Sequence, residues 1–223
     1  MIIEKHSVPT YTADGANMSK FRAIFDSLCE WDSVAEVSTQ NVKYTYGCFT
    51  FDINCYDSTY SVDLLYGGTT VDLSGYRNWF NVQIIKTATS VGMMIYNGAQ
   101  NANIPTDGGD ASVHRVVLTR TMNLYNGAEE KGIVYAVGKG TAGQFKIRVI
   151  SESNATTATD TSKTISTNAA VTILQPAAST TYAGYCPYVF IPEHQTCASS
   201  NCKAKVNGAT YYIMGGSLYL LDD

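Results

Sequence analysis

The run NVKYTYGCFT, Asn41 to Thr50, and the FDINCY that follows it, Phe51 to Tyr56, alternate apolar or aromatic residues with polar or small ones. A period of two sends successive side chains to opposite faces of a pleated strand. Valine, threonine, tyrosine and phenylalanine are also the residues that pack best on such a surface. The next run, YSVDLLY from Tyr60 to Tyr66, keeps the period and stops at Gly67-Gly68, and Thr69 to Leu73 resumes it. Two strands around a Gly-Gly pair predict a β-hairpin, because tight two-residue turns need positive φ angles that glycine adopts freely.

The same pattern continues toward the C-terminus. Residues 78–87, 91–96 and 114–121 read as strands, and 132–137 and 144–150 as a pair joined around 138–143. Residues 170–174, 188–191, 203–206, 211–214 and 217–221 follow. Only one segment has helical spacing. Phe21, Ile24, Phe25 and Leu28 share a face between Asn17 or Ser19, which can cap the start, and Trp31. Residues 1–16 read as an N-terminal arm, and 17–223 as a single domain. Within it, residues 151–168 carry ten Ser or Thr and form either a mobile loop or a long polar edge hairpin. Many short strands with frequent turns predict a mainly β fold: an antiparallel β-sandwich, jelly-roll-like or related, with one short N-terminal α-helix.

Composition narrows the function. The 223 residues are 45% hydrophobic and 15% charged, enough to build a core and too weakly charged for a disordered chain. The net charge of −4 and scattered basic residues give no footprint for nucleic acid or an anionic membrane. No apolar run is long enough for a membrane-spanning helix. With Glu4 and Lys5 near the start, no signal-peptide core is expected, and the protein is expected to be soluble and made in a cytoplasm. Reduced thiols are then the preferred state of Cys29, Cys48, Cys55, Cys186, Cys197 and Cys202. The sequons at Asn17 and Asn154 carry no weight in that compartment.

Each chemical motif has a plainer explanation. Cys186, His194, Cys197 and Cys202 lie close together and are ligands zinc accepts, but only Cys197-x₄-Cys202 approaches a zinc-knuckle spacing. A Cys197–Cys202 disulfide is the other alternative to free thiols. His6, His114 and His194 offer no recognisable nucleophile partner, and polar surface positions are expected for His6 and His114. Gly138-Lys139-Gly140-Thr141 has the wrong order for a phosphate loop and precedes a strand. Asp107-Gly108-Gly109-Asp110 lacks the spacing of a calcium loop. No carboxylate pair stands out for glycoside hydrolysis. Tyrosines such as Tyr56, Tyr60 and Tyr66 offer a glycan-stacking surface if they are exposed. No cofactor and no enzymatic activity are expected.

The last fifty residues carry a more specific pattern. Leu174-Gln175-Pro176 precedes Gly184-Tyr185 and the strand Tyr188-Val189-Phe190-Ile191-Pro192. Val206-Asn207-Gly208 with Tyr211-Tyr212 then forms a hairpin signal, and Leu218–Leu221 leads to a terminal Asp222-Asp223. This segment, about a fifth of the chain, resembles the C-terminal part of small virion structural proteins of phages and prophages of Gram-positive bacteria. The resemblance implies a head, tail or baseplate component that contacts other copies of itself and other virion proteins. It implies no catalytic residue. The expected location is the virion, after synthesis in the bacterial host cytoplasm. A receptor- or glycan-binding β module is the alternative.

Overall fold

A computed structural model of the chain describes residues 4–9, 17–56, 59–74, 79–87, 90–96, 114–118, 130–135, 150 and 152, and the backbone of 2–3, 16, 97, 119, 136–139, 144–149, 151, 161–164, 172–173, 188–190, 203–206, 209–214 and 218–221. Among these residues the fold is mainly β, antiparallel throughout, with one short helix. Ile2–Pro9 forms β1 and Ala16–Phe25 forms α1. Ser33–Ser38 (β2), Asn41–Tyr46 (β3), Phe49–Cys55 (β4), Tyr60–Tyr66 (β5) and Thr69–Asp72 (β6) make a five-stranded meander in chain order.

A seven-stranded sheet has the order β1-β7-β8-β9-β10-β11-β12. Its further strands are Trp79–Lys86 (β7), Ser90–Asn97 (β8), His114–Thr119 (β9), Gly132–Lys139 (β10), Gln144–Ser151 (β11) and Thr161–Thr164 (β12). The C-terminal strands are Thr172–Ile173 (β13), Tyr188–Phe190 (β14), Lys203–Val206 (β15), Ala209–Met214 (β16) and Leu218–Leu221 (β17). They form a second five-stranded sheet in the order β13-β14-β17-β16-β15. The first two sheets and α1 share one core, as expected of an antiparallel sandwich; β2 to β6 and β7 to β12 each run in chain order, and β1 joins the second sheet beside β7 across the whole first one.

The hairpin at Gly67-Gly68 forms as the sequence predicts. Both glycines take positive φ, 51° and 79°, and Tyr66 faces Thr69 across the turn. A second tight turn divides the opening run at Gly47-Cys48. Gly47 has a φ of 60°, and Tyr46 faces Phe49. A Cβ added at Gly47 would stand 2.5 Å from Glu152 Oε1, so the turn sits against the end of β11. Across it the buried positions change phase, from Val42, Tyr44 and Tyr46 to Phe49, Phe51, Ile53 and Cys55.

The helix begins where expected but stops at Phe25, six residues short of Trp31. The cause is local competition for its last carbonyls. The Trp31 Nε1–H donates to Phe25 O at 2.7 Å, the Ser27 hydroxyl donates to Ile24 O at 3.0 Å, and the Leu28 N–H donates to Phe25 O at 3.1 Å. Phe21, Ile24, Phe25 and Leu28 nevertheless all point into the core.

The ring of Phe21 lies 5.2 Å from that of Tyr60 on β5 and 5.1 Å from that of Phe80 on β7, and Tyr60 meets Phe80 edge-on at 5.9 Å. One helical turn later, Phe25 joins Tyr44 at 5.4 Å, Phe51 at 5.8 Å and Trp31 at 6.4 Å. At the Gly47 end, Lys131 pairs with Asp32 and places its ammonium 4.9 Å from the centre of the Tyr46 ring.

One expectation needs correction. The N-terminal segment is not a free arm where it is described: all eight residues of β1 pair with β7, from Ile2 opposite Lys86 to Pro9 opposite Trp79. Pairing with β7 engages the backbone groups on one edge of the strand that a free arm would leave to water. Of the Ser/Thr-rich segment, Thr161–Thr164 forms β12, which pairs with β11 at the end of the sheet, and residues 153–160 and 165–168 lie outside the described residues.

Replacing Phe51, fully buried between Phe25 and Trp31, with alanine is expected to lower unfolding stability by about 3–5 kcal/mol. Thr70→Ala on the exposed side of β6 should change it by less than about 0.5 kcal/mol. Urea denaturation of both variants checks this, and equal losses would mean that Phe51 is not part of the packed core.

Candidate functional site

Strand β2 differs from its neighbours. β3, β4 and β5 alternate buried and partly exposed positions, while all six residues of β2 are exposed. Val34 is 44% and Val37 61% exposed, which is unusual for valines in a strand. Among the described residues β2 is an outer strand of its sheet and pairs only with β3. The ladder is regular from Ser33 opposite Thr45 to Glu36 opposite Val42. It then shifts, with Ser38 opposite Asn41 and Val37 as the extra residue of a bulge.

With no buried face, β2 depends on ties at both ends and along its length. Asp32, just before it, donates its N–H to Thr45 O at 2.9 Å and accepts the Gly47 N–H at 2.5 Å. Arg22 on α1 pairs with Glu36 and lies 3.8 Å from Asp26. The Ser38 hydroxyl accepts the Gln40 N–H at 3.1 Å and closes the turn into β3. The strand is thus held in place by groups that leave its valines exposed and, among the described residues, its outer edge unpaired.

On the outward face of the same sheet, Asp52, Asp63 and Asp72 line up across β4, β5 and β6. Lys43 closes that row on the β3 side, 3.1 Å from Asp52. Asn41 donates to Asp52 and to Asn54, each at 2.6 Å. Partial burial, together with its neighbours Asp72 and Asp52, raises the carboxyl pKa of Asp63, and the Ser61 hydroxyl opposes this. Asp72 also accepts the Ser74 N–H at 2.8 Å and the Ser74 hydroxyl. Among the described residues no group of three His, Cys, Asp or Glu is arranged to hold a metal ion.

Of the two described histidines, His114 does not lie on the surface. His6 is half-buried on β1, with Nε2 3.0 Å from Glu4 Oε2, and this contact and Lys86 hold the Glu4 carboxyl below its ordinary value. His114 is buried, 2.9 Å from the Tyr135 hydroxyl through Nδ1. Register explains the correction: His114 stands opposite Ile95 on one side and Val137 on the other, on the inner face of the sheet. Burial pushes its pKa down and Arg115 adds to this, while Asp72 works the other way. Arg115, the next residue, faces the opposite side and is also fully buried. Asn81, Gln83, Met94 and Tyr96 are buried on that side too, so the middle of the seven-stranded sheet is covered on both faces.

Of the three tyrosines considered for stacking on sugars, Tyr56 is 59% exposed beside the β4–β5 connection. Tyr60 packs on Phe21 and Phe80, and Tyr66 is buried against Phe49. Cys48 and Cys55 carry free thiols, exposed and buried respectively, and burial pushes that of Cys55 up to about 11. Cys29 is half-buried. Gly138 and Lys139 are strand residues opposite Phe145 and Gln144, and Gly140 and Thr141 lie outside the described residues. Asn17, the first sequon, is buried. The zinc candidates Cys186, His194, Cys197 and Cys202, the second sequon at Asn154, and Asp107–Asp110 lie outside the described residues. Comparison with protein-family models, with curated proteins and with solved structures gives no match.

The sequence signal for β2 was present but weak. SVAEVS has the composition of a strand, and nothing in one sequence distinguishes a strand buried on one face from one exposed on both. The buried His114 and Arg115 were equally hidden, because burial on both faces erases the alternation that marks an outward side.

His114 makes stability depend on pH in a defined direction. Its folded-state pKa lies below the ordinary 6.5, so in mildly acidic solution the unfolded chain takes up the proton first. Its contribution is therefore flat above about pH 7 and is lost as the pH falls through about 6.5 toward the folded value. Urea midpoints of the wild type and His114→Asn should converge between about pH 7 and about pH 5.5, and a constant gap would show that His114 does not titrate differently on folding.

Proposed function

We propose that this protein is a structural component of a bacteriophage particle that acts through subunit–subunit contacts rather than by catalysis. The observation that carries this reading is β2, an outer strand with all six residues exposed, two of them valines, firmly anchored from behind. A protein acting through contacts needs a rigid surface that it leaves uncovered as a monomer, and open strand edges serve that purpose.

The C-terminal segment supports the same reading. β17 lies between β14 and β16, so Leu218–Leu221 is an interior strand of its sheet. Val206 faces Ala209 at the end of the β15–β16 pair, as a two-residue hairpin connection requires. These features agree with the Pro-bounded strand, hairpin and apolar ending that resemble small virion proteins of phages of Gram-positive bacteria. Partners are then other copies of the chain and other virion proteins, and the site of action is the virion. The glycan-binding alternative rests on Tyr56 alone among the three tyrosines considered, which makes it the weaker reading.

The direct test is the particle itself. Particles released from a culture that carries the gene are purified on a density gradient and their proteins identified by mass spectrometry. The chain is expected to co-purify in a fixed ratio to the other particle proteins. Its absence from intact particles that are made while it is expressed overturns the reading.

A further inference from the structure

We propose that β2 is the edge by which two copies of this chain join, antiparallel, with Ala35 of one copy opposite Ala35 of the other. The inference rests on the assembly reading above and names one of its contacts.

The argument starts from a rule of strand geometry. Alternate residues of a strand point their N–H and C=O groups to the same edge and their side chains to the same face. Two identical strands related by a two-fold axis therefore pair residue i with residue j only when both belong to the same set, which in a regular strand means an even sum. The sequence of β2, Ser33-Val34-Ala35-Glu36-Val37-Ser38, reads nearly the same in both directions. Matched end to end as a regular strand, however, it would pair odd with even and fail.

The bulge removes the conflict. Glu36 faces Val42 and Ser38 faces the adjacent Asn41, so Val37 drops out of the count and Ser38 takes the next regular position. The self-pairing register is then Ser33 with Ser38, Val34 with Glu36, and Ala35 with itself on the axis. Each of these pairs is compatible at cross-strand distance. Alanine at the axis lets the backbones approach. The two Glu36 carboxylates do not face each other, and each is already engaged by Arg22 of its own helix. The next residue outward from Ala35 is Lys43, which Asp52 neutralises at 3.1 Å. Self-complementarity of shape, register and charge identifies the occupant as a second copy. The product is one continuous sheet made of two meanders.

The test uses the full chain. Ala35→Arg and Ala35→Glu each place two like charges opposite one another at the axis, on a residue exposed enough to leave folding intact. Sedimentation equilibrium is expected to show association weakened by at least about 10-fold for either variant alone, and recovered when the two are mixed in equal amounts. Thr70→Arg, on exposed β6 of the same sheet, should associate as the wild type does. The inference is overturned if Ala35→Arg associates like the wild type, if the mixture is no tighter than its components, or if the wild type stays monomeric at every concentration. The particle-composition experiment reads the broader proposal independently, so loss of one does not decide the other.

Discussion

The contact of Phe21 with Tyr60 and Phe80 is the one on which the arrangement of this fold depends. A helix, a five-stranded meander and a seven-stranded sheet each have an apolar face that must be covered, and the three rings are where all three elements meet. Rings tilted or edge-on at these separations gain from their quadrupoles as well as from burial. Because α1 enters between the layers here, its next turn delivers Phe25 to Tyr44 and Phe51. The end of that turn brings Arg22 to Glu36 and Asp26 to the Tyr44 hydroxyl, 2.6 Å away. The position of β2 is thus set from the core outward, through the helix.

Several buried polar groups among the described residues are absorbed in the same framework. Tyr44 has its phenol pKa raised, chiefly by burial and then by Asp26, which accepts its proton as a hydrogen bond. His114 is engaged by Tyr135, and Ser74 by Asp72. Such pairs satisfy groups that would be costly to bury alone. What β2 leaves exposed is accordingly an edge and its two valines.

Much of the architecture was legible in the sequence because period and turn chemistry are local. The Gly67-Gly68 hairpin and the buried face of α1 follow directly from residue order. The turn at Gly47-Cys48 was legible in principle, since the aromatic positions change from Tyr44 and Tyr46 to Phe49 and Phe51. A loose alternation conceals a phase change of one residue. What was hidden is non-local. The length of α1 is decided by a tryptophan six residues beyond its last turn, and the fate of Ile2–Pro9 by a strand far along the chain. The exposure of β2 is a fact about which layers overlap. No single-strand pattern records that, and so the candidate site came from the structure.

The pairing of β1 with β7 has a consequence for how the molecule is made. Ile2 finds its partner at Lys86, after the whole five-stranded meander has been synthesised. At roughly 5–20 residues per second on the ribosome, the first strand waits several seconds for its template. Contacts so distant in sequence close late and slowly, because the loop entropy is lost before the strand ladder repays it. The local hairpins from β2 to β6 are free to assemble in that interval. A strand made before the whole meander is therefore among the last of this half of the molecule to find its place.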